Sequence, residues 1–457
     1  MKQIDFAKVL LFFLGIFFPL SGTNSLCEFQ ADSIGSEGKT ITLTGNVSIL
    51  HRLGKITCDS AIVERKEEGK EKLPASICLK DNIELFLKPD STVSCARGMI
   101  DFVQNKIFLY SEEEHPVRYS GSIDDSEITA EKFMILGGLV TFSLDSKGEI
   151  ELVEVSQGTF LEIDKEITVK GERAVYKPDD RLSIYPSEES FCVITGMHGI
   201  QARASLVEWN FPEKKMTFLS GSGSGSFTDT IQPEFRADKI VWDKGASVFT
   251  FSGYSRLEQK EKMIFFNDDH IDFFYDKEGL TSIKTAGKSR LLGNKKLQSD
   301  CFFITEGDIC VDHRLGCVNI GSTRNQIVFK GNIGEVSGDY LSLYYSLGEA
   351  GFIPEKILIR DNVKFMGPDN AKQFALADLI EYSKITGEWK LQAKSNGKVL
   401  YYDKINNMQM SAPGVLYKKG TGLEKDIIQG SGNVRFRFME RELDLLKKRF
   451  NLSEERK

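Results

Sequence analysis

A short phrase that keeps returning is what most constrains this chain. A small residue, an acid and then two apolar residues at alternate positions open Ala237-Asp238-Lys239-Ile240-Val241-Trp242. Further copies begin at Cys58, Ala130, Gly171, Ala204, Ser299, Gly338 and Ala377, and Glu28-Phe29-Gln30-Ala31-Asp32 nearly repeats Glu234-Phe235-Arg236-Ala237-Asp238. The starts at Gly171, Ala204 and Ala237 lie 33 residues apart, and those at Ser299, Gly338 and Ala377 lie 39 apart. Alternation with period two is the signature of a strand, and a return at near-fixed spacing is that of a repeat array. Strict alternation places Asp238, Ile240 and Trp242 on one face and Ala237, Lys239 and Val241 on the other. Phe249 and Phe251 share a face of the return strand.

A second phrase sits between the copies: Gly45-Asn46-Val47, Asp81-Asn82-Ile83, Gly331-Asn332-Ile333, Asp361-Asn362-Val363 and Gly432-Asn433-Val434. The two phrases in step predict an all-β fold, a repetitive antiparallel β-jellyroll or β-solenoid-like array, as tandem units over 26–438. In the repeat register, the Gly-Ser run at Ser220–Ser226 reads as a strand inside the array. Glu64–Lys72 reads as an exposed hairpin loop, and residues 260–325 are the least regular part. Leu443, Leu446 and Phe450 fall at helical spacing among charges, which predicts a short C-terminal helix over 439–457 that caps the last rung.

The net charge of −7 provides no basic face for nucleic acid. Lys2 and Lys8 precede an apolar run from Val9 to Leu20 and then Ser21-Gly22-Thr23-Asn24-Ser25, the layout of a cleaved signal peptide over 1–25. That predicts export to the periplasm, with association at the outer membrane as an option. Cys27 follows Leu26 rather than a small residue, which disfavours lipidation there. Of eight cysteines, Cys310 and Cys317 are able to face each other across the Asp312–Gly316 turn. Cys58 and Cys95 stand in the phrase's small-residue slot, so disulfides and buried thiols both stay open.

No catalytic or cofactor motif stands out. The histidines are scattered, and there is no His-Glu-x-x-His, phosphate-binding glycine loop or Gly-x-Ser-x-Gly elbow. The chain is therefore read as a non-enzyme with no cofactor or metal. Asp268-Asp269-His270 reads as a hydrated turn. The recurring acids, such as Asp32, Asp59 and Asp339, are expected to bond nearby backbone amides rather than calcium. What remains is an apolar inward face that includes Val47, Ile49, Val63, Ile135, Tyr176, Trp209, Ile240, Trp242, Phe249, Phe251, Leu343 and Tyr382. It is either an ordinary core or a groove for acyl chains.

Leu43-Thr44-Gly45-Asn46-Val47-Ser48-Ile49, Ala237-Asp238-Lys239-Ile240-Val241-Trp242 and Ala377-Asp378-Leu379-Ile380-Glu381-Tyr382 resemble the OstA/LptA family of lipopolysaccharide-transport proteins. The resemblance extends over most of 28–438. It implies an open jellyroll that shelters lipid A acyl chains, end-to-end self-association through edge strands, and partners among the lipopolysaccharide-transport proteins of the inner and outer membranes. The alternative is a structural or adhesive envelope array that binds protein or glycan.

Overall fold

The computed structural model describes residues 27–435, apart from 52, 69–70, 88–90, 113–114, 123–131, 179–180, 197–198, 226–233, 260–262, 294–301, 306–307, 313, 322–325, 332–333, 349–350, 368–371, 405–407, 419 and 421–426. The signal peptide expected over 1–25 and the helix expected over 439–457 lie outside the described residues. Within them the chain is all-β, an antiparallel jellyroll array of 37 strands. It divides into two compact units, Met1–Met197 with Arg203–Lys214 and His198–Ala202 with Lys215–Lys457.

Each unit is built from two ladders that share long strands. In the first unit, Ser91–Asp101 shows how the sharing works. Its residues 97–101 pair with Lys106–Tyr110, while 92–94 pair with Val117–Ser122. Lys132–Leu144 then pairs with both of those shorter strands. Directly opposed residues in a ladder face the same way, so apolar positions line up as rows across the strands. One row runs Val63, Ile77, Ile100, Ile107, Phe142, Val153. The facing ladder carries Ile49, Ile56, Leu85, Val93, Tyr119, Ile135, Leu161. The rings of Tyr119 and Phe142, from opposite ladders, meet at 6.4 Å. The two inward faces therefore pack on each other. Full burial of each such side chain contributes about 1.5–3 kcal/mol.

The second unit repeats the plan. Glu234–Asp243 pairs through 239–243 with Val248–Ser252 and through 234–236 with Ser255–Gln259. From there the chain alternates hairpins in one ladder with hairpins in the other. At Gly351–Met366 and Gln373–Ser383 both ladders again pass through single long strands. Rings from opposite ladders touch at 5.3 Å for Phe235 and Phe251 and at 5.8 Å for Phe365 and Tyr417.

The two recurrent phrases meet at the corners between ladders. Asn46, Asn82 and Asn362 adopt left-handed backbones with φ of 45°, 47° and 51°, and each follows a residue that is left-handed too. Two residues then oppose one, which bends the strand. The Asn side-chain amides donate to the acids of the first phrase: Asn46 to Asp32 at 2.8 Å, Asn82 to Asp59 at 2.8 Å and Asn362 to Asp339 at 2.5 Å. Elsewhere the acid accepts a backbone amide, Tyr254 on Asp238 at 3.1 Å and Lys394 on Asp378 at 2.7 Å. Gly45, with φ of +74°, lies so close to Asp32 that an added Cβ would sit 2.6 Å from its Oδ2.

This corner corrects the strict alternation expected at 237–242. Ala237, Ile240 and Trp242 are buried, while Asp238 and Lys239 are both exposed. The phase shifts because the strand changes ladder at Asp238, opposite Ser220, whose φ is 49°. The Gly-Ser run does form strand up to Ser224. Glu64–Lys72 is not a loop: Gly54–Glu68 and Glu71–Leu87 stay paired to the tip of their hairpin. Residues 263–293 form four successive strands paired as regularly as the rest. Cys310 stands opposite Asn319, and Cys317 opposite Asp312, so the two cysteines are diagonal neighbours with free thiols.

Candidate functional site

The twelve inward residues expected from sequence lie in both units rather than at one place. Val47, Ile49, Val63, Ile135, Trp209, Ile240, Trp242, Phe249, Phe251 and Leu343 are buried, and Tyr176 and Tyr382 are half-buried. They pack on one another. Trp242 stacks with Phe249 at 6.0 Å and donates from Nε1 to the Tyr275 hydroxyl at 2.6 Å. Tyr176 meets the edge of Phe211 at 5.3 Å, and Tyr382 lies 4.7 Å from Trp389. Trp209 and Trp242 are 0% exposed, so at these places the interior is filled by the protein's own side chains.

The filling is uneven along the second unit. One inward row runs Trp242, Phe249, Phe273, Ile283, Val311, Val318, Leu343, Ile357, Tyr382, Trp389, Tyr417. Large rings occupy both ends, and the middle holds branched aliphatic side chains. Phe273 and Leu343 are 2% and 1% exposed. Between them Ile283, Val311 and Val318 are only half-buried, and so is Phe265 in the opposite ladder. The lining in this stretch is thus left without full cover. Alternation in Ile271-Asp272-Phe273 and Val318-Asn319-Ile320 carried the signal for this section. The scarcity of the repeat phrase there masked it.

A polar row borders the same stretch. Ser255 opposes Asn267, and Asn267 opposes Ser289. Asn267 Nδ2 donates to the Ser289 hydroxyl at 2.9 Å and to the Ala286 carbonyl at 2.8 Å. Thr285, from the other ladder, lies 3.3 Å from Ser289 through their hydroxyls. All four residues are buried. This chemistry is neutral: hydroxyls and a carboxamide, with no carboxylate or ammonium in the set. Further along, the equivalent positions are occupied by Ile327 opposite Gly338 and Val399 opposite Ala412.

Ionisable groups gather elsewhere. Burial pushes the Cys27, Cys58 and Cys192 thiols up to about 11 and Cys95 up to about 12, which holds them protonated and unreactive. His270 lies 3.4 Å from Asp269 and 3.8 Å from Asp272 on the outer face. No group of ligands able to hold a metal ion is found among the described residues. No protein-family model and no curated protein matches the chain.

Proposed function

We propose that the chain is a non-catalytic lipid-binding protein whose second unit takes up acyl chains between its two ladders. The observation that carries this reading is the partly covered inward row Ile283, Val311 and Val318, set between buried Phe273 and buried Leu343. Apolar lining left half-covered inside a jellyroll gains stability when hydrocarbon covers it, at about 0.8 kcal/mol per buried methylene. The resemblance of the repeat phrases to the OstA/LptA family extends the proposal to a cargo and a place. The cargo is lipopolysaccharide, moved through the periplasm towards the outer membrane with other transport proteins of the two membranes as partners. End-to-end association fits the strand Ser33–Glu37, exposed at all five residues with Ile34 at 60%.

The sealed rows of the first unit favour the structural alternative for that unit, as a rigid spacer. Photo-crosslinking separates the roles. A photoreactive residue at Val318 is expected to trap lipopolysaccharide in living cells, whereas one at the outward neighbour Asn319 is not. One at Ile77 is expected to trap neither lipid nor protein. Capture of lipid at Ile77 alone, or of protein alone at Val318, sinks the carrier reading and leaves the array as a scaffold.

A further inference from the structure

Two hairpins, one in each unit, run past the end of their ladders in the same frame. Asp59 and Asp339, Pro74 and Pro354, and Asn82 and Asn362 are each separated by 280 residues. In the first unit Arg65 opposes Pro74 and Glu67 opposes Lys72; in the second Tyr345 opposes Pro354 and Leu347 opposes Phe352. The first arm is thus written in charged residues and the second as Tyr345-Ser346-Leu347 and Phe352-Ile353-Pro354. One backbone accepts both compositions, so the fold does not require the apolar one. The turns beside the second arm share its character. On one side the Tyr345 amide donates to the Gly316 carbonyl at 2.8 Å, and on the other the Lys384 amide donates to the Glu355 carbonyl at 3.0 Å. Past these bonds no further strand pairs with the arm among the described residues. A two-stranded ribbon on its own is marginal in water. Leu315 and Ile385, on the two flanking turns, are 75% and 90% exposed, the highest values of any large apolar residue among those described. The Leu315 turn has no need of a leucine. Asp312 accepts the Leu315 amide at 2.9 Å, and at the same distance Asp243 accepts that of Ala246 and Asp101 that of Gln104. Tyr344, at the root of the arm, is exposed as well. The cations nearby are each engaged by acids: Arg314 by Asp276 and Glu278, Lys356 by Glu381 at 2.8 Å and Lys384 by Glu355 at 3.9 Å.

We infer that this rim of the second unit docks on the surface of a lipid bilayer, with Leu315 and Ile385 entering at headgroup level on either side of the arm. The inference does not depend on the carrier reading. Single apolar side chains on separate turns suit a fluid surface that closes around each of them, and their attraction scales with the apolar area buried. Because the neighbouring cations are already held by acids, the matching surface is zwitterionic rather than anionic. Entry is shallow, since the unpaired strand edges of the arm cannot be carried into hydrocarbon.

The test is co-flotation of the full chain with phosphatidylcholine vesicles. The wild-type chain is expected to float with them equally well at low and high salt. Leu315→Ser combined with Ile385→Ser should lower the partition constant roughly ten-fold. Val103→Ser, in the exposed turn bonded to the charged arm of the first unit, should leave it unchanged. A tryptophan reporter gives a second reading, because Trp209, Trp242 and Trp389 are buried and supply a constant background. Emission from Ile385→Trp should shift to the blue on addition of vesicles, and that from Val103→Trp should not. No flotation, equal flotation of the double variant, or loss of binding in high salt overturns the proposal. So does self-association of the wild-type chain in light scattering that the double variant abolishes, which would make the rim an interface between copies.

Discussion

The two units use one corner and one ladder scheme, yet they differ in how their interiors are filled. In the first unit, the row from Val63 to Val153 keeps every member at 4% exposure or less. In the second, the corresponding kind of row drops from buried Phe273 to half-buried Ile283, Val311 and Val318 and recovers only at Leu343. Backbone pairing is continuous in both. Continuous pairing therefore does not by itself close an interior, and neither does the type of inward side chain, since the closed row of the first unit is itself mostly Val and Ile.

Matched truncations test that contrast most strongly. Ile77→Ala in the first unit should cost about 2–5 kcal/mol, because its neighbours cannot close over the lost atoms. Ile283→Ala should cost distinctly less, since part of that side chain already meets no packed neighbour. Urea midpoints for the two variants give the comparison, and equal losses would remove the distinction between the units.

A second difference is electrostatic. The thiols that burial pushes up to about 11 or 12, Cys27, Cys58, Cys95 and Cys192, all belong to the first unit, while in the second unit burial also raises the Cys317 thiol. The unfolded chain releases these protons near the ordinary value of 9.0, while the folded unit retains them to about 11 or 12. Folded-state values above the unfolded ones stabilise fully below pH 9 and lose that contribution as pH rises towards 12. Urea stability should fall over that window, and Cys95→Ala should flatten the fall. A maleimide should label exposed Cys310 in the second unit well before Cys58 or Cys95. Rapid modification of Cys95 in the folded chain would contradict the sealed interior.

The corners should behave alike in both units. Asn82→Ala and Asn362→Ala each remove a side-chain amide from a repeat acid, Asp59 or Asp339. Each should lower stability by about 1 kcal/mol. A clear loss at one site with none at the other would show that the corner is not a shared device. The smallest effect is expected at the surface: Arg181→Met, which removes a 3.1 Å pair with Glu208, should change stability by no more than about 1 kcal/mol.

Much of this fold was legible in the sequence, because alternation and the repeat phrases are local patterns with local causes. The strands at 234–252 carry the inward residues Ile240, Trp242, Phe249 and Phe251 as their alternation indicates. The phrases themselves were half-read. The acid's bond to backbone amides was expected and is present at Asp238 and Asp378, but its role as an acceptor for the Asn side chain is not visible without knowing that Asp59 and Asn82 meet across 23 residues. Nor does strict alternation survive a strand that changes ladder, which is why Ala237 turned inward and Asp238 outward. The candidate site was the least legible element. The residues expected to face inward are buried or half-buried, but size does not mark where the interior is full, since Val63, Ile77 and Ile107 are as well covered as the buried rings. The half-covered places are held by Ile283, Val311 and Val318, whose composition is unremarkable for any strand.

The left-handed corner also bears on how such a chain changes length over generations. Its bend is specified by a two-residue code and one acid, so duplication of a hairpin carries the instructions for its own turn. The two repeat spacings, 33 and 39 residues, differ by an even number. Gains of even length add to a strand without exchanging its inner and outer surfaces, whereas an odd gain inverts the side chains up to the next corner. Between corners, a strand of this array therefore keeps its inward row only when it is lengthened by pairs of residues. A ruler that grows by pairs can be lengthened many times before any interior residue has to be chosen again.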